Sequence, residues 1–244
     1  MKISRFILSI YIVVFSFQWV NSQEKLIQER KDSTEISVFP KILPEIKSEF
    51  QEGTYTYIYI IETGGQSIPM EMTRIISKSG ENWVVRDHAK SQFGDVIDEV
   101  EFSSNFQPIR RNLEQGGANA PITFLEDKVK LKMNGETLEF KMDGQYIADG
   151  AGLDLIIAGF PIEPNYTLDF FMPDVILGKS KAVTLKVDGI ERLNDIECWI
   201  VKLTNKENLL DEITFCFNPF DKSVLKMTQI NPIMGDVKFT TLKK

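Results

Sequence analysis

The chain has 244 residues, with 28 basic and 35 acidic side chains giving a formal charge of −7. That length buries a substantial core without staples, and a net acidic surface repels phosphate backbones, which argues against nucleic acid as a partner. One histidine and two cysteines leave too few nitrogen and sulfur ligands for a zinc site.

Residues 1–22 have the layout of a secretory signal peptide. Lys2 and Arg5 precede an apolar run from Phe6 to Trp19, and Val20, Asn21 and Ser22 supply the small or neutral residues before cleavage. The run holds about 14 residues, two of them Ser9 and Ser16, whereas a membrane-spanning helix needs roughly 20. Cleavage after Ser22 is therefore expected, with a periplasmic or secreted product beginning at Gln23. No cysteine near the cleavage point offers a lipid attachment site. Losing Lys2 and Arg5 takes the charge from −7 to −9. Residues 23–50 are charged and carry Pro40 and Pro44, and read as a tether or a short segment packed outside the main domain.

Period-two patterning begins at Gly53, and residues 51–244 read as one β domain. Residues 54–61 are aromatic and β-branched and end at Gly64-Gly65, which predicts a strand and a turn. Tyr55, Tyr57 and Tyr59 share one face of it, because successive side chains alternate sides. Strands are expected at 68–77, 82–86, 96–102 and 108–113. Lys128 to Met133, then Asn134-Gly135, then Glu136 to Met142 predict a tight hairpin, since Asn-Gly tolerates the positive φ that primed turns require. The two-residue turn sets Leu131 against Leu138, Val129 against Phe140 and Lys130 against Glu139. Residues 149–159 predict a short apolar helix or a buried crossing segment. Further strands are expected at 166–171, 183–187, 198–203, 212–217, 224–229 and 237–242. The fold class is all-β and mainly antiparallel, a large curved sheet, half-barrel or sandwich with one or two short helices.

The second half carries a resemblance. The segments Gly150-Ala151-Gly152-Leu153-Asp154, Phe160-Pro161-Ile162-Glu163-Pro164-Asn165-Tyr166 and Val183-Thr184-Leu185-Lys186-Val187-Asp188-Gly189 occur in an order that resembles the DUF3108 family of exported bacterial proteins. Ile196-Glu197-Cys198-Trp199-Ile200-Val201-Lys202-Leu203 and Leu225-Lys226-Met227 continue it. That family has no known function, and its all-β shape is similar to lipoprotein carriers of the LolA/LolB type. Where the family often has a small-Gly turn before the cysteine strand, this chain has Asn194-Asp195. The resemblance implies an exported β protein and transfers no active site.

No catalytic constellation emerges. His88 lies beside Asp87 with Ser91 nearby, but no Gly-x-Ser-x-Gly elbow exists. Asp95, Asp98, Glu99 and Glu101 form the densest acidic cluster, a pattern that is usually a solvated face, although a dispersed carboxylate pair remains a third reading. Arg110-Arg111 reads as a solvated strand end. Gly150, Gly152 and Gly159 fit neither dinucleotide nor Walker spacing, so no cofactor motif is present. Asn165-Tyr166-Thr167 is a formal glycosylation sequon.

Cys198 and Cys216 are expected to face each other across a hairpin centred on Glu207, with Lys202 opposite Glu212, Val201 opposite Ile213 and Trp199 opposite Phe215. Whether they are bonded or are two buried thiols stays open.

Two functional expectations follow. The first is a non-enzymatic exported protein binding a lipid or acylated ligand in the concavity of its sheet, with Tyr55, Tyr57 and Tyr59 lining it. The second is a structural or interaction module with a filled core and an envelope-protein partner. Seventeen Phe, six Tyr and three Trp suit either, since aromatics favour strands with or without a ligand.

Overall fold

In the computed structural model, residues 43–47, 50–90, 94–133, 135–193, 195–231 and 237–243 are described. The expected signal peptide and residues 23–42 lie outside them. Among the described residues fourteen strands appear in chain order: β1 (Gly53–Thr63), β2 (Gln66–Ser79), β3 (Asn82–Lys90), β4 (Val96–Phe102), β5 (Pro108–Gln115), β6 (Ala118–Phe124), β7 (Lys128–Met133) and β8 (Glu136–Lys141) precede the short helix α1 (Leu153–Ala158). After it come β9 (Thr167–Asp174), β10 (Lys179–Leu193), β11 (Ile196–Asn205), β12 (Glu212–Phe217), β13 (Val224–Asn231) and β14 (Val237–Lys243).

All fourteen join one sheet in the order β8-β7-β6-β5-β4-β3-β2-β1-β14-β13-β12-β11-β10-β9. Two antiparallel meanders, β1 to β8 and β9 to β14, are thus joined where β1 pairs with β14. The edges approach each other. Tyr146, just after β8, bridges Phe171 of β9, and the Ile147 N–H donates to the Phe171 carbonyl at 3.0 Å. The Leu138 side chain covers Gly178, where a Cβ would sit 2.9 Å from Cδ2. The sheet is therefore a half-barrel drawn together at its seam, as the patterning predicts.

The Asn-Gly hairpin has the expected register, with Val129 opposite Phe140, Lys130 opposite Glu139 and Leu131 opposite Leu138. Strand β6 is an addition to the predicted set. Pro121, inside it, breaks the strand pattern in the sequence, because proline donates no ladder bond. The structure accommodates it because β7 pairs only with Ile122, Thr123 and Phe124 of β6.

Side chains from both meanders and from α1 meet in one buried cluster that includes Val85, Val100, Phe102, Ile157, Phe170 and Phe215. A second cluster, with Val129, Phe140 and Tyr146, fills the seam. In the described part of the 23–50 segment, Leu43 and Phe50 pack into this cluster, whereas Pro44, Glu45 and Lys47 are exposed. Phe50 is buried, with its ring 5.5 Å from Trp83 and 5.9 Å from Phe102. The Lys47 N–H donates to the Gly159 carbonyl at 3.1 Å, tying this segment to the end of α1.

Candidate functional site

The inner face of β2 presents Met70, Met72 and Ile76, all buried, with Arg74 between them and only 4% exposed. A guanidinium is not left unpaired in such a row. Its Nε and Nη2 donate to Asp87 of β3 at 2.7 and 2.8 Å, and Nη1 donates to both oxygens of Asp154 of α1 at 2.9 and 2.7 Å. The same guanidinium lies 5.2 Å from the centroid of the Tyr57 ring. Burial pulls its pKa down, and Asp154 and Asp87 more than reverse this, holding it above the ordinary value. Burial raises the Asp87 carboxyl above its ordinary value despite the arginine.

A second clamp adjoins the first, because Asp87 stands opposite Asp98 in the β3–β4 register. Arg111 of β5 donates from Nε and Nη2 to Asp98 at 2.8 and 2.9 Å, and from Nη1 to Asp149 at 2.8 Å. Asp98 also accepts from the Ala151 N–H at 3.1 Å. The strap leading into α1 passes so close that a Cβ on Gly150 would lie 2.6 Å from the Arg111 Cζ. Gly150 and Gly152, at φ 100° and 87°, hold backbone that only glycine adopts readily. These glycines serve close approach to the sheet.

The expected solvated strand end is corrected here. Arg110 is exposed and paired with Glu101, but Arg111 on the opposite face is buried. The acidic cluster likewise divides. Asp98 faces inward to Arg111, Asp95 meets His88 Nε2 at 2.7 Å, Glu99 lies 3.6 Å from Arg86, and Glu101 accepts from Asn82 at 2.7 Å. His88 and Asp87 are adjacent in sequence, yet Asp87 binds Arg74 and His88 binds Asp95. Ser91 lies outside the described residues. Among those described, no group of three or more His, Cys, Asp or Glu is placed to hold a metal ion. Inside the half-barrel, then, two guanidiniums hold four carboxylates in charge-assisted bonds. This arrangement pins α1 to the sheet and leaves none of those six side chains poised as a nucleophile or base.

The tyrosine stripe faces this interior. Tyr57 is 6% exposed, beneath Arg74, and burial pushes its hydroxyl up to about 12. Tyr55 donates its hydroxyl to the Gln51 carbonyl at 3.1 Å. Tyr59 lies beyond Tyr57 toward the Gly64-Gly65 turn, half-buried, with burial and the nearby Asp98 and Asp87 holding its hydroxyl above the usual range. Val96 of β4, Leu155 of α1 and Met227 of β13 are also half-buried and pack on the same core cluster as Tyr59. These four side chains border the cluster that holds the ion pairs without being fully covered.

Cys198 and Cys216 form a disulfide with Cα atoms 5.4 Å apart. The predicted register is off by two residues: Cys216 stands opposite Ile200, Trp199 opposite Phe217 and Val201 opposite Phe215. The loop explains the slip. Asn205 and Asp211 close it through a 3.0 Å backbone bond and a 3.1 Å side-chain bond, which centres the hairpin on Asn208 instead of Glu207. A shift of two keeps every side chain on its own face, so the cysteines bridge diagonally.

Arg74, Asp87, Asp149 and Asp154 were not singled out as charged partners by the sequence patterning. The available signal was one charged residue interrupting the apolar row on each of four successive strands: Arg74 among Met70, Met72 and Ile76, Asp87 between Val85 and Ala89, Asp98 between Val96 and Val100, and Arg111 between Ile109 and Leu113.

No family model matches the chain, and no curated protein matches it. The resemblance to DUF3108 is carried by motif order alone. Among solved structures, a beta-barrel-like protein of the domain of unknown function DUF1849 from Brucella abortus aligns with a TM-score of 0.46 and 12% identity, covering 78% of this chain and 95% of that one. A DUF1329 family protein from Desulfovibrio piger aligns with a TM-score of 0.27 and 10% identity, covering 78% and 82%. Neither likeness carries a function to this chain.

Proposed function

We propose that this is an exported, non-catalytic binding protein that takes an apolar chain, such as an acyl group, into a cleft of its half-barrel lined by Tyr59, Val96, Leu155 and Met227. The observation that carries this reading is the set of half-buried apolar side chains, Tyr59, Val96, Leu155 and Met227, on a core whose buried guanidiniums are fully hydrogen-bonded to carboxylates. Ligand pockets are mostly apolar with a few placed polar groups, and these four side chains, three aliphatic or thioether and one phenolic, have that composition. Burying one methylene contributes about 0.8 kcal/mol, so roughly eight give on the order of 6 kcal/mol before the costs of association. Within the stripe, Tyr59 is assigned to the cleft because it is half-buried and stands toward the Gly64-Gly65 turn, whereas Tyr57 is buried beneath Arg74. The exported part of the reading is supported by the layout of residues 1–22 and by the Cys198–Cys216 bond, since disulfides persist in oxidising compartments.

The test is uptake of a fluorescent fatty acid by delipidated protein. Saturable uptake is expected, with the fatty acid recovered chemically unchanged. Met227→Lys is expected to weaken uptake at least tenfold while near-ultraviolet circular dichroism stays that of the parent. Absence of saturable uptake by the parent overturns the proposal.

A further inference from the structure

The loop between β11 and β12 is built with unusual thoroughness for one that buries so little. Its base closes through Asn205 and Asp211, and Asp211 also accepts from Lys181 at 3.1 Å. Inside it, Asn205 Oδ1 accepts from the Glu207 N–H at 2.9 Å and Asn208 Oδ1 from the Leu210 N–H at 3.3 Å. The Lys206 N–H donates to the Ala182 carbonyl at 2.9 Å, and an ion pair from Lys179 to Glu207 ties the loop to the neighbouring β9–β10 turn. At the tip, Leu209 and Leu210 are 72% and 70% exposed, and Ile176 of the β9–β10 turn is exposed as well. Backbone and side-chain bonds therefore hold two leucines out in water.

The register shows which end of the half-barrel this is. Glu212 stands opposite Ile230, Ile230 opposite Lys238, and Lys238 opposite Glu62. The leucine loop is thus level with the Gly64-Gly65 turn, the end toward which Tyr59 and the proposed cleft lie. Phe220, 94% exposed, sits in the β12–β13 connection at the opposite end.

We propose that Leu209 and Leu210 dock this rim on a lipid surface, a role that rests on the acyl-binding reading because the rim stands at the end from which a chain would enter. Protein–protein hot spots are enriched in Trp, Tyr and Arg with Leu under-represented, and the tip carries an aliphatic pair with neither an aromatic nor an arginine. Lys179 and Lys206 flank it with apolar stems that lie along an interface while their heads stay wet. Both are already paired, with Glu207 and Asp169, so the attraction is apolar and needs no anionic headgroup. Two leucines give weak, reversible attachment, well short of an anchor.

Flotation of the exported form, as recovered from cells, with neutral phosphatidylcholine vesicles tests this, beside a separate measurement of fatty-acid uptake from solution. The double variant Leu209→Asp/Leu210→Asp is expected to lose at least tenfold in vesicle-bound fraction and to keep fatty-acid uptake. Phe220→Asp is expected to keep both. Unchanged flotation of the double variant, or loss of flotation in Phe220→Asp alone, overturns the docking site. So does a dimer of the parent that the double variant dissolves, which would assign the leucines to a contact between copies. A parent that floats but takes up no fatty acid overturns the acyl-binding reading and supports docking.

Discussion

Arg74 on β2 and Asp154 on α1, 80 residues apart in sequence, share two hydrogen bonds of 2.9 and 2.7 Å in the buried interior. This pair turns the only helix among the described residues into a fixed part of the half-barrel. Breaking a buried pair leaves one charge uncompensated, so Asp154→Ala is expected to destabilise by about 3–5 kcal/mol in urea denaturation. Arg74→Met strands both Asp87 and Asp154 and is expected to be at least as damaging. Adding Asp87→Asn and Asp154→Asn to it should recover much of the loss, since groups in one network are not additive.

Gly150 is the point where the strap crosses the second clamp. A methyl group there would sit 2.6 Å from Arg111 and 2.8 Å from the Asp98 carboxylate, on backbone at φ 100°. Positive φ alone costs a residue with a side chain on the order of 1–3 kcal/mol. Gly150→Ala is therefore expected to lower stability by about 2 kcal/mol or more. Gly135→Ala, with nothing within 4 Å of its Cβ, carries the backbone strain alone and should cost less.

The disulfide closes a loop with a sequence separation of 18. Constraint of the unfolded chain over a loop of that size is worth about 3 kcal/mol. The Cys198→Ser/Cys216→Ser variant is expected to lose that much in urea denaturation. Alkylation of the denatured, non-reduced parent should label neither cysteine.

Tyr57 gives a pH dependence with a definite sign. Its hydroxyl is raised from 10.0 to about 12, chiefly by burial, with Arg74 opposing and Asp154 and Asp87 reinforcing. Between those values the folded protein binds a proton that the unfolded chain has released. The stabilisation is fully present below pH 10 and lost as pH rises through about 12, on the order of 3 kcal/mol. Spectrophotometric titration should show one tyrosine ionising later than the unfolded chain does, near pH 12, and Tyr57→Phe should flatten that part of the stability curve.

Legibility in the sequence followed the range of the interactions. The Asn-Gly hairpin was readable to the residue because a two-residue turn dictates its own register, and Val129 with Phe140 obeyed it. The cysteine hairpin was readable only to its face, because its register depends on side-chain bonds of Asn205, Asn208 and Asp211 inside the loop. β6 was hidden by Pro121, whose missing N–H matters only where a neighbouring strand pairs. The buried ion-pair network was the largest omission. Arg74, Asp87, Asp98 and Arg111 sit on strands that alternate otherwise, and a charge in such a row reads locally as an irregular strand. Only the adjacency of β2, β3, β4 and β5, with α1 folded against them, shows that the four interruptions meet.

The central claim, that an apolar chain occupies the proposed cleft, is tested most directly by photolabelling. A fatty acid carrying a photoreactive group along its chain would be irradiated with the exported protein and the labelled peptides mapped by mass spectrometry. Saturable labelling at Tyr59, Val96, Leu155 and Met227, abolished by Met227→Lys, is the predicted result. Labelling confined to exposed side chains such as Ile75 and Ile230, or labelling that never saturates, would contradict it.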